Sequence, residues 1–249
     1  MRLHWALCPD PQLAHFFSQN SLWRLYMLDL PLTFLNRPAA ATTPHPWLLV
    51  LMHGVGSNEQ DLFGLAPAIP ERFHVISLRA PFRMGPGAHT WFDFSIEPGG
   101  ARSIDEAQEA QSRALLIATV QAASAQLGIA PERVVVGGFS QGGIMALSLL
   151  LTQPACMLAA MVWHSRLLPQ VLPFAAPADA LRGKKLWLSH GTHDDVIPVA
   201  HAQAIARHMA SLPVTVTYRE FPGAHEIRPA ELHATVTWLD ALAMTPTAF

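Results

Sequence analysis

Arg133-Val134-Val135-Val136-Gly137-Gly138-Phe139-Ser140-Gln141-Gly142-Gly143-Ile144-Met145-Ala146-Leu147 is the stretch whose reading decides the fold. The β-branched run Arg133 to Val136 reads as a strand, and the apolar run from Gly142 to Thr152 reads as a helix. Gly-x-Ser-x-Gly lies between them. A serine at such a strand-to-helix junction sits on a tight, strained turn, and residues as small as Gly138 and Gly142 let strand and helix approach closely. With Gly and Ser each near 7% of residues, the bare pattern arises by chance in roughly one chain in ten of this length, so the strand-turn-helix context carries the signal. A phosphate loop is the competing reading of a glycine-rich turn, and it lacks the Gly-Lys-Ser/Thr ending that reaches terminal phosphates.

The same alternation extends outward in both directions. Upstream, Trp47 to Met52 is a continuous apolar run, followed by a helix from Asn58 to about Ile69 and a strand from Phe73 to Leu78. Ile104 to Leu127 reads as the longest helix, with Ser103 as its cap, Glu106 completing a capping box and Gly128 ending it. Downstream, strands are expected at Leu158 to Trp163, Lys184 to Ser189 and Val214 to Phe221, and helices at Val199 to Ser211 and Pro229 to Leu242. Strands alternating with helices predict an α/β fold: a mostly parallel central sheet with helices on both faces. Leu22 to Leu35 reads as one or two edge strands, and Arg37 to Pro46 as a loop. Residues 1–21 are expected to be an N-terminal extension or edge element, and 22–249 a single domain.

Composition narrows the function. The 249 residues carry 16 Lys+Arg against 18 Asp+Glu, and charged residues make up only 14%. That balance excludes a polyanion binder working by bulk electrostatics, so no nucleic-acid partner is expected. A hydrophobic content of 51% fills a large core and excludes disorder. Cys8 and Cys156 match neither disulfide nor metal spacing, and the N-terminus lacks a signal-peptide core, so a reduced cytoplasmic chain is expected. Ile144 to Trp163 approaches the length of a membrane span, but Gln153-Pro154 cuts it, so no span is expected.

In open parallel sheets, ligands bind beyond the carboxyl ends of the strands. A serine there needs a base to take its proton, and the base needs a carboxylate. His225, in Pro222-Gly223-Ala224-His225-Glu226, is the best base among 13 histidines because it alone follows the last strand in a glycine loop. Asp194 and Asp195, in His190-Gly191-Thr192-His193-Asp194-Asp195, both offer the carboxylate, and neighbouring loop residues diverge too far for both to serve. His53-Gly54-Val55-Gly56-Ser57 follows another strand, and the backbone amides of Val55 and Gln141 are the candidates for stabilising an oxyanion. His53 itself reads as a ring that ties its loop by hydrogen bonds. Trp91, Phe92, Phe94 and Met84 are candidates for apolar pocket wall, or for ordinary loop packing. An alternative is a metal site built from His190, His193 and Asp194, although no helix-borne histidine pair supports it.

Together, Met52-His53-Gly54-Val55-Gly56-Ser57-Asn58-Glu59-x-Asp61, Gly138-Phe139-Ser140-Gln141-Gly142-Gly143, His190-Gly191-x-x-Asp194-x-x-Ile197-Pro198 and Gly223-x-His225 resemble the phospholipase/carboxylesterase family of α/β-hydrolases. The resemblance runs from about Leu22 to Leu242. It implies the α/β-hydrolase fold and a serine hydrolase without metal or cofactor, with Ser140, Asp194 and His225 as triad and Val55 and Gln141 as oxyanion donors. It also settles Asp194 over Asp195. The substrate class it implies is small-molecule carboxylic esters of small to medium acyl chains, cleaved through an acyl-enzyme on Ser140. Acyl-protein thioesterase and lysophospholipase activities use the same triad, and a silent relative would have no chemical need to keep all three residues. The segment Arg79 to Asp93 resembles the part of the family that lines the acyl side of the pocket. Where the family often has Ser-Gly after a later strand, this chain has His164-Ser165-Arg166, which puts His164 and a charged group beside the site. A homodimer is compatible with the sequence.

Overall fold

The structure is a computed structural model and describes residues 28–96 and 102–244. The expected arm at 1–21 and Cys8 lie outside the described residues. The chain runs β1 (Phe34–Arg37), β2 (Trp47–Met52), α1 (Glu59–Phe63), β3 (Phe73–Leu78), β4 (Phe82–Gly85), β5 (Ala88–Thr90), β6 (Phe94–Ile96), β7 (Arg102–Ile104) and α2 (Glu106–Leu127). It continues as β8 (Val134–Phe139), α3 (Gln141–Thr152), β9 (Ala159–Trp163), β10 (Lys185–Gly191), α4 (Ala200–Ala210), β11 (Thr215–Phe221) and α5 (Pro229–Met244).

Seven strands form one sheet in the order β1-β3-β2-β8-β9-β10-β11. All neighbours are parallel except β1, which pairs antiparallel with β3 at the edge. Every residue of β2 is buried, because successive side chains point to opposite faces and helices cover both. Leu48, Val50 and Met52 join Leu116 and Val120 of α2, Leu147 and Leu150 of α3, and Ile205 of α4. Leu49 and Leu51 face the other way, onto Leu62 of α1 and Leu239 and Leu242 of α5. The continuous apolar runs of the sequence thus record burial from two sides.

Three expectations need correction. The helix predicted from Asn58 to Ile69 is a five-residue α1, capped by Asn58 Oδ1 accepting from Gln60 N–H at 2.9 Å. It stops at Gly64, and Pro67 opens a separate 3₁₀ turn over Ala66–Ala68. Helix α2 starts at Glu106, with Asp105 rather than Ser103 as its cap; Asp105 Oδ1 accepts from Gln108 N–H at 2.9 Å. Ser103 belongs to β7, which pairs with β6 in a short hairpin. That hairpin and its neighbour β4–β5 were not legible, because both are brief and β6 is exposed along its length. Strand β11, expected to alternate cleanly, is an edge strand whose residues are all exposed or half-buried.

Among the described residues no helix is long and apolar enough to cross a membrane. The apolar stretch from Ile144 is divided where expected, with α3 ending at Thr152, a 3₁₀ turn at Pro154–Cys156 and β9 beyond. Cys156 is a buried free thiol that burial pushes up to about 11.

Candidate active site

Ser140 occupies the single residue between β8 and α3, with φ 54° and ψ −115°. A side chain rarely tolerates positive φ, and this strain persists only where the surroundings impose it. They do so through contact: a Cβ on Gly138 would run into the backbone of Gly142, and one on Gly142 would run into the Met52 carbonyl. The helix therefore presses against β8 and the end of β2. Ser140 N–H donates to Trp163 O at 2.9 Å, and Ser165 Oγ donates to Ser140 O at 2.9 Å. The hydroxyl is held at the carboxyl end of the sheet.

Two loops bring the other residues to it. Asp194 lies in the loop after β10 and is buried; its Oδ1 accepts from the backbone N–H groups of Val196 at 3.0 Å and Ile197 at 2.8 Å. His225 lies in the loop after β11. The loops are packed together at Gly191, where a Cβ would collide with the Ala224 carbonyl, and His193 N–H donates to Gly223 O at 2.9 Å. His225 Nε2 is 2.9 Å from Ser140 Oγ, and His225 Nδ1 is 2.7 Å from Asp194 Oδ2. The Phe139 ring packs on the His225 ring with centroids 4.8 Å apart. Asp195, one residue on, is exposed. A serine, an imidazole and a carboxylate in this row can pass the hydroxyl proton to the ring while the carboxylate fixes its tautomer.

The row continues beyond Asp194. His164, fully buried and at φ 49°, has Nδ1 3.0 Å from Asp194 Oδ2 and Nε2 3.1 Å from Glu231 Oε2. Glu231, in the first turn of α5, accepts from Ser189 Oγ at 2.6 Å. Burial opposes charge on His164, but hydrogen bonds and charge from Glu231 and then Asp194 outweigh it and raise its pKa. Burial would likewise raise Asp194; hydrogen bonds from His225, Ile197 N–H and His164 instead leave it below the usual carboxylate range. His190 donates from Nε2 to Ile197 O at 2.6 Å, and burial keeps its pKa low. Sequence reasoning missed Glu231. A carboxylate in a first helical turn is ordinarily read as a partner of the helix dipole.

The alternative metal set of His190, His193 and Asp194 is not assembled, because His193 is exposed with Nδ1 3.1 Å from Thr192 Oγ1. Among the described residues, His164, Asp194 and His225 bring ligand-type atoms within 4.8 Å of one another. Those atoms are engaged with each other through the hydrogen bonds just given.

Ser140 opens into a cleft of about 220 Å³ lined by Val55, Phe92, Phe94, Ile96, Gln141, Ile144, Val196, Ile197, Arg102 and Arg166. Val55 and Gln141 thus stand beside Ser140, and Gln141 heads α3, where the first N–H groups have no intrahelical acceptor. The Gln141 side chain does more than the sequence suggested. Its Oε1 accepts from Thr90 Oγ1 and Trp91 N–H, both at 2.9 Å, and its Nε2 donates to Phe92 O at 2.6 Å. This clamp fixes the loop that supplies Phe92. Three expected pocket residues lie elsewhere. Trp91 is fully buried, its Nε1 donating to His53 O at 2.9 Å; Met84 is exposed on β4 away from the cleft; His164 sits behind Asp194. His53 ties its loop as expected, donating from Nδ1 to Gly54 O at 2.7 Å and accepting at Nε2 from Ala80 N–H at 3.1 Å.

A doubly covered parallel sheet with a Ser–His–Asp row beyond its carboxyl ends defines the α/β-hydrolase class. Residues 38–243 match the family described as Phospholipase/Carboxylesterase. The chain belongs to that family of ester hydrolases. It is 30% identical over 180 residues to acyl-protein thioesterase 1 of Gibberella zeae, covering 70% of this chain and 73% of that protein. It is 28% identical over 178 residues to the esterase YpfH of Escherichia coli, with 70% and 73% covered. The Bacillus cereus carboxylesterase structure superposes with a TM-score of 0.72 at 21% identity, over 92% of this chain and 98% of that one, a likeness of fold.

Proposed function

We propose that this chain hydrolyses carboxylic esters of small to medium acyl chains through an acyl-enzyme on Ser140. The observation that carries this reading is the unbroken row from Ser140 Oγ through His225 to Asp194, at 2.9 and 2.7 Å. His225 takes the hydroxyl proton as Ser140 attacks the carbonyl, and the Val55 and Gln141 N–H groups receive the developing oxyanion. His225 then protonates the departing alcohol. Water, activated by the same ring, releases the acid. Asp194, anchored by two backbone N–H groups, keeps the imidazole in the correct tautomer. A cleft of about 220 Å³ with mostly apolar walls supports short rather than long acyl groups.

Thioester or lysophospholipid cleavage by the same three residues is the second reading; exposed Phe94 and Ile96 on the cleft favour it, since a longer chain can extend over them. A ladder of 4-nitrophenyl esters from acetyl to dodecanoyl, with one acyl thioester, separates the two. The expected result is a kcat/KM maximum at short chains and a loss of about 10⁴-fold or more in Ser140→Ala with unchanged folding. Full turnover by that variant would defeat the assignment.

A further inference from the structure

Two arginines line the cleft that holds Ser140. Arg102, on β7, donates from Nη2 to Val196 O at 2.7 Å, and its guanidinium lies 5.8 Å from the Phe94 ring centroid. Arg166, two residues after His164, is half-buried. Both also line an adjoining cavity of about 460 Å³ together with Asp195, Val196, Ile197, Pro198 and His201. Among the described residues, no carboxylate lies within ion-pair distance of either guanidinium, Asp195 included. Burial and the positive charge of Arg102 both lower the Arg166 pKa, and after burial the two arginines also lower His201. Two like charges gathered on a partly desolvated wall are unfavourable until an anion joins them.

The position of the pair says which part of a substrate would carry that anion. His225 must protonate the leaving alcohol, and it lines a separate cleft of about 290 Å³ with Asp61, Leu62, Leu65, Phe139, Glu226 and Ile227. The alcohol therefore belongs on that side and the acyl group on the arginine side. Resting on the ester-hydrolase reading of Ser140, we infer that Arg102 and Arg166 form a subsite for a carboxylate at the far end of the acyl chain. The preferred substrates are then monoesters of short dicarboxylic acids. The acyl methylenes lie against Phe92 and Ile144, and the planar guanidinium forks grip the carboxylate. The small cleft keeps that carboxylate a few bonds from the reacting carbonyl.

The test compares 4-nitrophenyl hydrogen glutarate with the neutral pentanoate of equal chain length. The parent protein should favour the anionic ester, and the anionic-to-neutral ratio of kcat/KM should fall by about tenfold to hundredfold in Arg166→Gln, mostly through KM. Arg102→Gln should lower it too, and Arg166→Lys, which keeps the charge but loses the fork, should fall between. A parent preference for pentanoate, or a ratio indifferent to these substitutions, would overturn the subsite while leaving the Ser140 reading intact. Calorimetric titration of glutarate into the parent and Arg166→Gln proteins reads the subsite without turnover: binding lost in the variant supports it, and no binding to the parent, or inorganic phosphate bound in preference, overturns it. Failure of both esters with glutarate still bound would instead sink the hydrolase reading.

Discussion

Replacing Glu231 by Gln removes one charge from the interior and keeps the shape of the side chain. Glu231 is 1% exposed and faces His164 Nε2, while Asp194 faces His164 Nδ1. A carboxylate only accepts hydrogen bonds, so this geometry, together with the raised pKa, favours the imidazolium form of His164, in which both ring nitrogens donate. Removing one charge from a buried pair costs about 3–5 kcal/mol, and because the amide carbonyl can still accept from His164, the expected loss is at the low end, about 3 kcal/mol. In a chain of this size that is a fall of about 6–12 °C in Tm.

The pH dependence of stability carries the same signature. Because the folded-state pKa of His164 is raised, its contribution is complete below about pH 6.5, the unfolded value, and is lost as pH rises through the folded value. Stability of the parent should therefore decline as pH rises above about 6.5, with a slope of up to about 1.4 kcal/mol per pH unit. His53, His74 and His190 have lowered values and act on the acid side, where their stabilisation fades as pH falls. Asp194, also lowered, acts in the more acid carboxylate range. Buried Cys156 adds a decline only above about pH 8.5. Urea unfolding of parent and Glu231→Gln across this window measures both effects. A variant within about 0.5 kcal/mol of the parent, with a parallel pH profile, would refute the buried imidazolium.

Gln141→Ala leaves the buried Trp91 N–H without its acceptor, at about 1–3 kcal/mol, while the Phe92 carbonyl loses Gln141 Nε2 but still accepts from Thr90 Oγ1 at 2.7 Å. Urea unfolding should show a loss of about 1–3 kcal/mol, and an unchanged midpoint would mean the clamp holds nothing. Gly142→Ala places a methyl against the Met52 carbonyl and within 2.7 Å of His53 O, and should destabilise by about 1–3 kcal/mol as α3 is pushed from the sheet. A variant of full stability and activity would show that the close approach is not required.

The strands were legible because burial on both faces writes itself into consecutive residues. Trp47–Met52 and Phe73–Leu78 have the limits expected of them, and the other parallel strands differ by a few residues at their ends. The glycine-serine turn was legible because its steric demand falls on adjacent positions. Helix α1 was overextended because its apolar pattern continues past Gly64, where the hydrogen-bond ladder stops. The capping of α2 was misplaced because pairing of Ser103 with β6 is not local.

The sequence by itself determined the doubly covered parallel sheet, the strained serine turn and the loops expected to bear Asp194 and His225, since each follows from side-chain size, periodicity or spacing over a few residues. Tertiary structure decided what stands behind and beside them. His164 and Glu231 meet across 67 residues and Gln141 grips Phe92 across 49, while Arg102 on β7 and Arg166 in the loop after β9 arrive at one cleft. Such meetings depend on which side chains the packed helices and loops bring within hydrogen-bond distance, and no local pattern in the chain encodes that.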